Sequence, residues 1–401
     1  MSYVIAAVST GNQVSAIGIL RLTGDNCAHI AGSVFTCNGS FPLWDAPNRK
    51  LILGILHDKQ GRVIDQCMAV YTRGPHSYTG EDPVEFHCHG SPAVLAAGLE
   101  ALYAAGARPA KRGEFTMRAF MNGQLDLTQA EAVIDLIEAD SADAAANAAG
   151  QVGGVLQKKL KPIYNDLTDL CSHFHAVLDY PDEDIADFGL ENYQDSLKEG
   201  VKTLDRLLST YGQGRILKDG VSAAIVGKPN VGKSSLLNAL AGYDRVIVTD
   251  IPGTTRDTVE EVVKVAGVKL RLIDTAGIRE TADTVEAIGV ERSRKAVESA
   301  DMVIFVCDGS KPLTDEDRDI IDICCDRENA VALINKTDLG QVVAPSDLPF
   351  MNVVEICAAT GEGLAQLGDV VETLFGGDTP CDGSVLTNAR QADALRRAHT
   401  A

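Results

Sequence analysis

The frame Gly227-x-x-x-x-Gly232-Lys233-Ser234 concentrates more chemistry than any other stretch of this chain. Two glycines so spaced let backbone amides converge on phosphate oxygens, and a helix that follows them turns its positive end toward the same anion. In that frame Lys233 reaches β and γ phosphates, and the hydroxyl of Ser234 completes the shell of a Mg²⁺ ion. Asn230, Val231, Gly232 and Ser235 supply the remaining contacts of the loop. Farther on, Asp274-Thr275-Ala276-Gly277 closes the apolar run "KLRLID", where Asp274 can hold the magnesium's water and the Gly277 amide can sense a γ phosphate. Asn335-Lys336-Thr337-Asp338 closes another run, "AVALINK". The two oxygens of Asp338 match the ring N–H and exocyclic amine of guanine. Adenine lacks that pair of donors and would leave the carboxylate unsatisfied, at a cost of about 1–3 kcal/mol. The expected ligand is therefore GTP rather than ATP.

These residues need strand ends and helix starts to hold them. From residue 221 to about 377, apolar runs alternate with helical stretches, the pattern of a mostly parallel sheet wrapped by helices. The phosphate loop sits between "SAAIVG" and "SSLLNALAG", the strand-then-helix context that it requires. Residues 1–118 have a different texture, with short β-like runs such as "VSAIGILRL" and "QCMAVYT" among turn residues, and are expected to be α+β. Residues 119–215 carry Leu, Ile, Val and Ala at helical spacing, as in "LTQAEAVIDLIEADSADAAANAA", and the chain turns helical again after "GGDTPCDG".

The whole is 401 residues, 45% apolar, enough to bury two or three cores. Its 36 basic and 56 acidic residues leave a formal charge of −20, so contact with a nucleic acid must be local or supplied by a partner. Ten cysteines at irregular spacing, with no basic and apolar leader, point to a reducing cytoplasm. No apolar run approaches the ~20 residues that span a bilayer. His87-Cys88-His89 invites a metal reading, but the simpler expectation is loop structure; Cys324-Cys325 is expected to pack on a helix, and Tyr180 to Asp184 to form a solvated acidic turn.

"GKPNVGKSS", "DIPGTTRDTVEE", "DTAGIRE" with "VEAIGVERS", and "NKTD" resemble the G domain of the tRNA modification GTPases of the MnmE (TrmE) family. The upstream "HSYTGEDPVEFHCHGSP" and "GEFTMRAFMNGQLDLTQAEAVIDLI" resemble that family's N-terminal and first helical segments. The resemblance implies a multidomain α/β chain: an N-terminal α+β dimerisation and tetrahydrofolate-binding-like domain over 1–118, a helical domain over 119–215 and 380–401, and a Ras-like, doubly wound P-loop GTPase domain inserted at 216–379. It implies that Thr249, Asp250, Ile251, Pro252, Gly253, Thr254 and Thr255 form a switch segment against the nucleotide, with Thr255 joining Ser234 on Mg²⁺. It implies K⁺ between Asn230, Thr249, Ile251 and Thr254, in the place where other GTPases insert an arginine. Ile278 stands where Ras-type GTPases place their water-orienting glutamine, and Glu286 matches the family's catalytic glutamate, acting beside Lys233. Cys357, Ala358 and Ala359 look like the loop that backs the guanine, with Cys357 in place of a more usual serine.

The same resemblance implies a homodimer, the flavoprotein partner MnmG (GidA), and modification of the wobble uridine of certain tRNAs with a carboxymethylaminomethyl group. It also implies 5-formyl-tetrahydrofolate as a ligand of Arg21 and Glu81, with Gln124 where the family usually has lysine. A pterin shows the same adjacent donors as guanine, so the Glu81 carboxylate has a chemical reason to grip it, and Arg21 can pair with a carboxylate of the folate tail. Family members end in further helices and Cys-Ile/Val-Gly-Lys, whereas this sequence reaches Ala401 in what reads as the first returning helix. It is expected to lack that cysteine and to expose an apolar helical face near 127–175. A second class of function, a GTP-driven switch in ribosome or RNA assembly, would call for a basic RNA-binding module that this acidic chain lacks.

Overall fold

The computed structural model describes residues 3–11, 13–39, 41–179, 190–243, 261–273, 294, 296–377 and 381–401. The chain divides into two compact units, Met1–Ile137 with Gln151–Gln157, and Glu138–Gly150 with Lys158–Ala401.

Period-two alternation builds the sheet of the first unit. Its strands are β1 (Ile5–Val8), β2 (Ser15–Thr23), β3 (Phe35–Cys37), β4 (Leu51–His57), β5 (Val63–Tyr71), β6 (Val84–Gly90) and β7 (Arg108–Pro109). They lie in the order β3-β4-β5-β6-β2-β1-β7, antiparallel except for the β1–β7 pair. On β5, Asp65, Cys67, Ala69 and Tyr71 are buried while Gln66 and Met68 face solvent, as a strand with one covered face requires. The helices of this part are α1 (Cys27–Gly32), α2 (Pro92–Ala105), α3 (Glu114–Met121) and α4 (Leu127–Glu138). Helix α2 covers the buried face with Leu95 and Leu102. It lies so close that a Cβ added to Gly98 would stand 2.5 Å from Leu20 Cδ1. The opposite face keeps Ile17, Leu51, Leu53 and Met68 exposed.

His87-Cys88-His89 belongs to β6 rather than to a loop. Alternation explains the difference: Val84, Phe86 and Cys88 are buried in the sheet, so the two histidines fall on its other face. The helical run from Leu127 also breaks in two. Helix α5 (Ala142–Val152) starts afresh after Ser141, whose hydroxyl accepts a hydrogen bond from the Ala144 amide at 3.1 Å and so supplies an N-cap.

Further helices are α6 (Val155–Asp179), α7 (Leu190–Ser209) and α8 (Tyr211–Asp219). The second unit's sheet follows, with β8 (Val221–Val226), α9 (Lys233–Tyr243), β9 (Glu261–Val265), β10 (Val268–Ile273), β11 (Met302–Asp308), α10 (Asp315–Cys324), β12 (Ala330–Asn335), β13 (Asn352–Glu355), α11 (Leu364–Phe375) and α12 (Ala389–Thr400). The strand order is β13-β12-β11-β8-β10-β9, all parallel except the edge strand β9. Strands β8 and β12 are buried along their whole length, which is why both read as unbroken apolar runs. Because β8 has β10 on one side and β11 on the other, the chain reverses its winding at β8. The crevice past the carboxyl end of β8 is therefore where a ligand is received in such a sheet. Cys324, buried at the end of α10, packs as expected.

The returning segment before α12 is pinned by one buried amide. Asn147 accepts from the Gly383 amide at 3.1 Å and the Val385 amide at 3.3 Å, and donates to the Val385 carbonyl at 3.2 Å. Replacing it with alanine strands those backbone groups. Asn147→Ala should destabilise the second unit by about 1–3 kcal/mol, seen as a lower midpoint in urea denaturation, whereas alanine at exposed Lys198 should leave the midpoint unchanged.

Candidate functional site

The phosphate-binding frame lies at the carboxyl end of β8, and α9 begins at Lys233. Both glycines are required by geometry. A Cβ on Gly227 would stand 2.2 Å from the Val306 carbonyl oxygen, and one on Gly232 would stand 2.1 Å from Asn335 Nδ2. Their φ values of 150° and 105° are ones that other residues avoid. Asn230 also sits in the left-handed region, at φ 66°, and asparagine tolerates that best among residues with side chains. The loop is thus packed so tightly against β11 and Asn335 that any larger residue at 227 or 232 would displace it.

The Lys233 ammonium folds back over this loop and donates to the carbonyls of Gly227 and Lys228, the latter at 2.7 Å. Burial pulls its pKa down to about 8. Lys228 points the other way, with Nζ 2.6 Å from Thr314 Oγ1 and 2.6 Å from Asp317 Oδ2, which anchors the loop to the start of α10.

Asn335, at the end of β12 and almost wholly buried, joins three loops. Its Nδ2 donates to the Val231 carbonyl at 2.8 Å, and its Oδ1 accepts from the Ala358 amide at 3.0 Å. Lys336, in the left-handed region at φ 65°, reaches back to the Asn230 carbonyl at 2.8 Å and to Asp308 Oδ2 at 2.7 Å. Asp338 follows in a short 3-10 turn, and the Cys357 thiol donates to its Oδ1 at 3.3 Å. The thiol thus fixes one oxygen of the Asp338 carboxylate. Ala358 is buried beside it, and Ala359 follows in the turn. Asp308 and Lys228 were not singled out by motif reading. The only sign of Asp308 was an acid at a strand's carboxyl end, in "VIFVCD".

Ser234 and Ser235 open α9, in place to face the same crevice from its helix end. Thr249, Asp250, Ile251, Pro252, Gly253, Thr254, Thr255, Asp274, Thr275, Ala276, Gly277 and Glu286 lie outside the described residues, as does the acidic turn at Tyr180.

The first unit holds a second polar cluster. Glu81 is gripped by Arg118 Nη1 at 2.9 and 3.1 Å, and its Oε2 accepts from the Thr23 hydroxyl at 2.8 Å. Thr23 in turn lies 2.8 Å from the Thr79 hydroxyl. Gln124 lies against Gly80, next to Glu81: a Cβ there would be 3.2 Å from Gln124 Nε2. Arg21, two residues from Thr23 on the same face of β2, binds Glu85 Oε1 at 2.7 Å and stacks its guanidinium 5.8 Å from the ring centres of Tyr78 and Phe115. Arg118 is steadied by buried Glu114, whose pKa is held down at about 2, chiefly by the Arg108 guanidinium. So Arg21, Glu81 and Gln124 converge on one region. Arg118, which sequence reading passed over, supplies its central charge; its signal was the Glu114/Arg118 spacing on one helix face.

Comparison with known proteins gives this geometry a relationship. Residues 4–124 match the model of the GTP-binding protein TrmE N-terminus, and residues 127–401 match that of the MnmE helical domain. The chain belongs to the MnmE family. Its relatives include the tRNA modification GTPase MnmE of Clostridioides difficile (strain 630), 40% identical over 98% of this chain and 87% of that one. The tRNA modification GTPase MnmE of Roseiflexus castenholzii (strain DSM 13941 / HLO8) is 42% identical over 99% and 87%. Among solved structures, the G domain of the T. maritima FeoB iron transporter is 26% identical over 39% of this chain and 99% of its own, with a TM-score of 0.28. Membership in the MnmE family accounts for a P-loop and an NKxD turn in one chain with a TrmE-type N-terminus.

The depressed pKa of Lys233 sets a pH dependence. An unperturbed lysine titrates near 10.4, so between about 8 and that value the free protein has lost a proton that a bound triphosphate would restore. GTP affinity should be flat below pH 8 and fall above it, with proton uptake on binding. Calorimetry in buffers of different ionisation enthalpy reads that uptake directly, and Lys233→Arg, which does not titrate in this range, should abolish it.

Proposed function

We propose that this chain is a GTP hydrolase that acts in the modification of tRNA. The observation that carries this reading is the Asn335 amide, which joins the phosphate loop, the NKTD turn and the loop at Ala358 into one crevice in a chain of the MnmE family. Asn230 to Ser235 would hold the phosphates, and Asp338, oriented by Cys357, would accept from the two donors of guanine. Membership in the family supports the three-part organisation, with the G domain at 216–379 inserted between the helical parts at 119–215 and 380–401.

The glycine cradle and the serine at the head of α9 suit a magnesium triphosphate. Ser234 and Thr255 would hold Mg²⁺, with Asp274 on its water shell. Asn230, Thr249, Ile251 and Thr254 would hold K⁺. Bound there, the two cations offset negative charge that grows on the phosphates during transfer. Lys233 adds a fixed positive charge from the protein side, and Glu286 would orient the attacking water. Thr275, Ala276 and Gly277 would follow the γ phosphate, as would Asp250, Ile251, Pro252 and Gly253.

Homodimerisation through the first unit is supported by its uncovered sheet face. Leu53 and Met68 pair across β4 and β5 there, with Ile17 and Leu51 nearby, a patch of the kind that marks protein contacts. The Glu81 carboxylate with Arg21 and Gln124 is the proposed seat of 5-formyl-tetrahydrofolate. At a net charge of −20, the chain would meet tRNA together with a partner, the flavoprotein MnmG (GidA). Among the described residues no helix is long and apolar enough to cross a membrane, which agrees with work on tRNA in the cytoplasm.

Steady-state GTP hydrolysis measured in K⁺ and in Na⁺ tests the proposal. Turnover should rise severalfold or more in K⁺ and vanish for ATP in either salt. Equal rates in the two salts would remove Asn230 from its cation role, and ATP hydrolysis would overturn the guanine reading. Separately, calorimetry should find 5-formyl-tetrahydrofolate binding that Glu81→Gln weakens by about one to two orders of magnitude.

A further inference from the structure

Two cysteines oppose each other in the first unit's sheet. One step past the Met68–His87 pair that ends the β5–β6 ladder, Cys67 pairs with Gly54 of β4 and Cys88 with Gly18 of β2. Both flanking positions are closed by apolar groups: a Cβ on Gly54 would meet the Phe35 ring at 2.3 Å, and one on Gly18 would meet Leu95 Cδ1 at 2.7 Å. Cys67 and Cys88 are 4% and 2% exposed, too enclosed for surface chemistry. One step along the same buried face of β5 stands Asp65, also buried, and a carboxylate oxygen of Asp65 and the two sulfurs all lie within 4.8 Å of one another.

The carboxylate is held in place from behind. Its Oδ2 accepts from the His89 amide at 2.8 Å, and its Oδ1 lies 2.8 Å from His89 Nδ1. The His89 side chain is itself 74% exposed, so the carboxylate is held by a group that reaches solvent. Each carboxylate oxygen keeps a second lone pair. With both thiols ionised the three donors would carry three negative charges. In a wall of Phe35 and Leu95 such charge is tolerable only with a cation beside it. Two thiolates and a carboxylate at this spacing suit a thiophilic d¹⁰ ion that accepts mixed sulfur and oxygen ligands, as Zn²⁺ does.

We propose that Asp65, Cys67 and Cys88 form a binding site for a thiophilic divalent cation of the zinc class, with His89 as the residue that positions the Asp65 carboxylate. Binding joins β5 to β6 through the ion and releases the two thiol protons to solvent, with no change of oxidation state. The site is separate from the nucleotide crevice and independent of the GTP reading.

The test uses the full chain, kept reduced and stripped by a chelator, titrated with Zn²⁺ against a chromophoric chelator and with Cd²⁺ while the sulfur-to-metal absorption is followed. One equivalent per chain should bind and give a thiolate band. Cys67→Ser with Cys88→Ser should abolish both, Cys171→Ser should change neither, and His89→Ala should weaken binding about 10- to 100-fold. A band that survives the double substitution, or no bound equivalent in the unaltered chain, overturns the proposal. Should the double variant fail to fold, X-ray absorption at the zinc edge of the unaltered protein decides: two sulfur neighbours support the site, and fewer than two refute it.

Discussion

A single side chain, Asn335, holds the nucleotide crevice in shape. Its amide is almost wholly buried, and each end is committed: the nitrogen to the Val231 carbonyl and the oxygen to the Ala358 amide. A buried amide left without partners costs about 1–3 kcal/mol per group, so neither loop can drift without breaking a bond that water does not replace. The absent side chain at Gly232 follows from this, since Asn335 Nδ2 occupies the space a Cβ would need. Lys336 then adds an ionic hold between the Asn230 carbonyl and Asp308. The phosphate-loop motif and the NKTD turn are thus one structure, and a change at Asn335 would disturb both.

The two proposed ligand sites solve a similar problem by different means. Asp338 sits in a tight turn, and one oxygen of its carboxylate accepts from a thiol. Glu81 is instead held in a network with Arg118, Thr23 and Thr79, and Arg118 is held in turn by Glu114. A carboxylate that already has a guanidinium partner keeps its geometry before a ligand arrives, and the ligand then has less ordering to impose. The arrangement also screens Glu81, which stands beside an uncharged glutamine at 124.

Sequence alone made much of this legible, for a physical reason. The parallel strands β8 and β12 are buried on both faces, so their apolar runs are continuous, and the phosphate loop announces itself by glycines whose conformations no other residue tolerates. Strand β9 was not singled out: it is an edge strand of five residues with a half-polar face, "EVVKV". The break between α4 and α5 hung on the Ser141 hydroxyl, a local cap that competes with a strong run of alanines. His87-Cys88-His89 reads as a loop in sequence because the alternation of β6 is hidden by the mixed polarity of its residues. The Cys67–Cys88 pair could not be read at all, and the Glu114/Arg118 spacing gave no sign that Glu81 is the partner. Which residues meet across a sheet depends on register, and register is set by contacts far apart in sequence.

The crevice also carries a conformational and an electrostatic cost. Asn230 and Lys336 both hold left-handed backbone conformations, each of which costs free energy that the surrounding hydrogen bonds must offset. Lys233 is an ammonium buried against two carbonyls, and its lowered pKa measures how poorly those dipoles replace water. Below pH 8 the folded protein carries this charge at a cost to its own stability, and the cost fades only as pH rises toward the unfolded lysine's range. A triphosphate would reverse the sign of that contribution, because the same ammonium would then face negative charge. The mismatch at the lysine would then turn into binding energy, and would favour polyanions over neutral nucleosides.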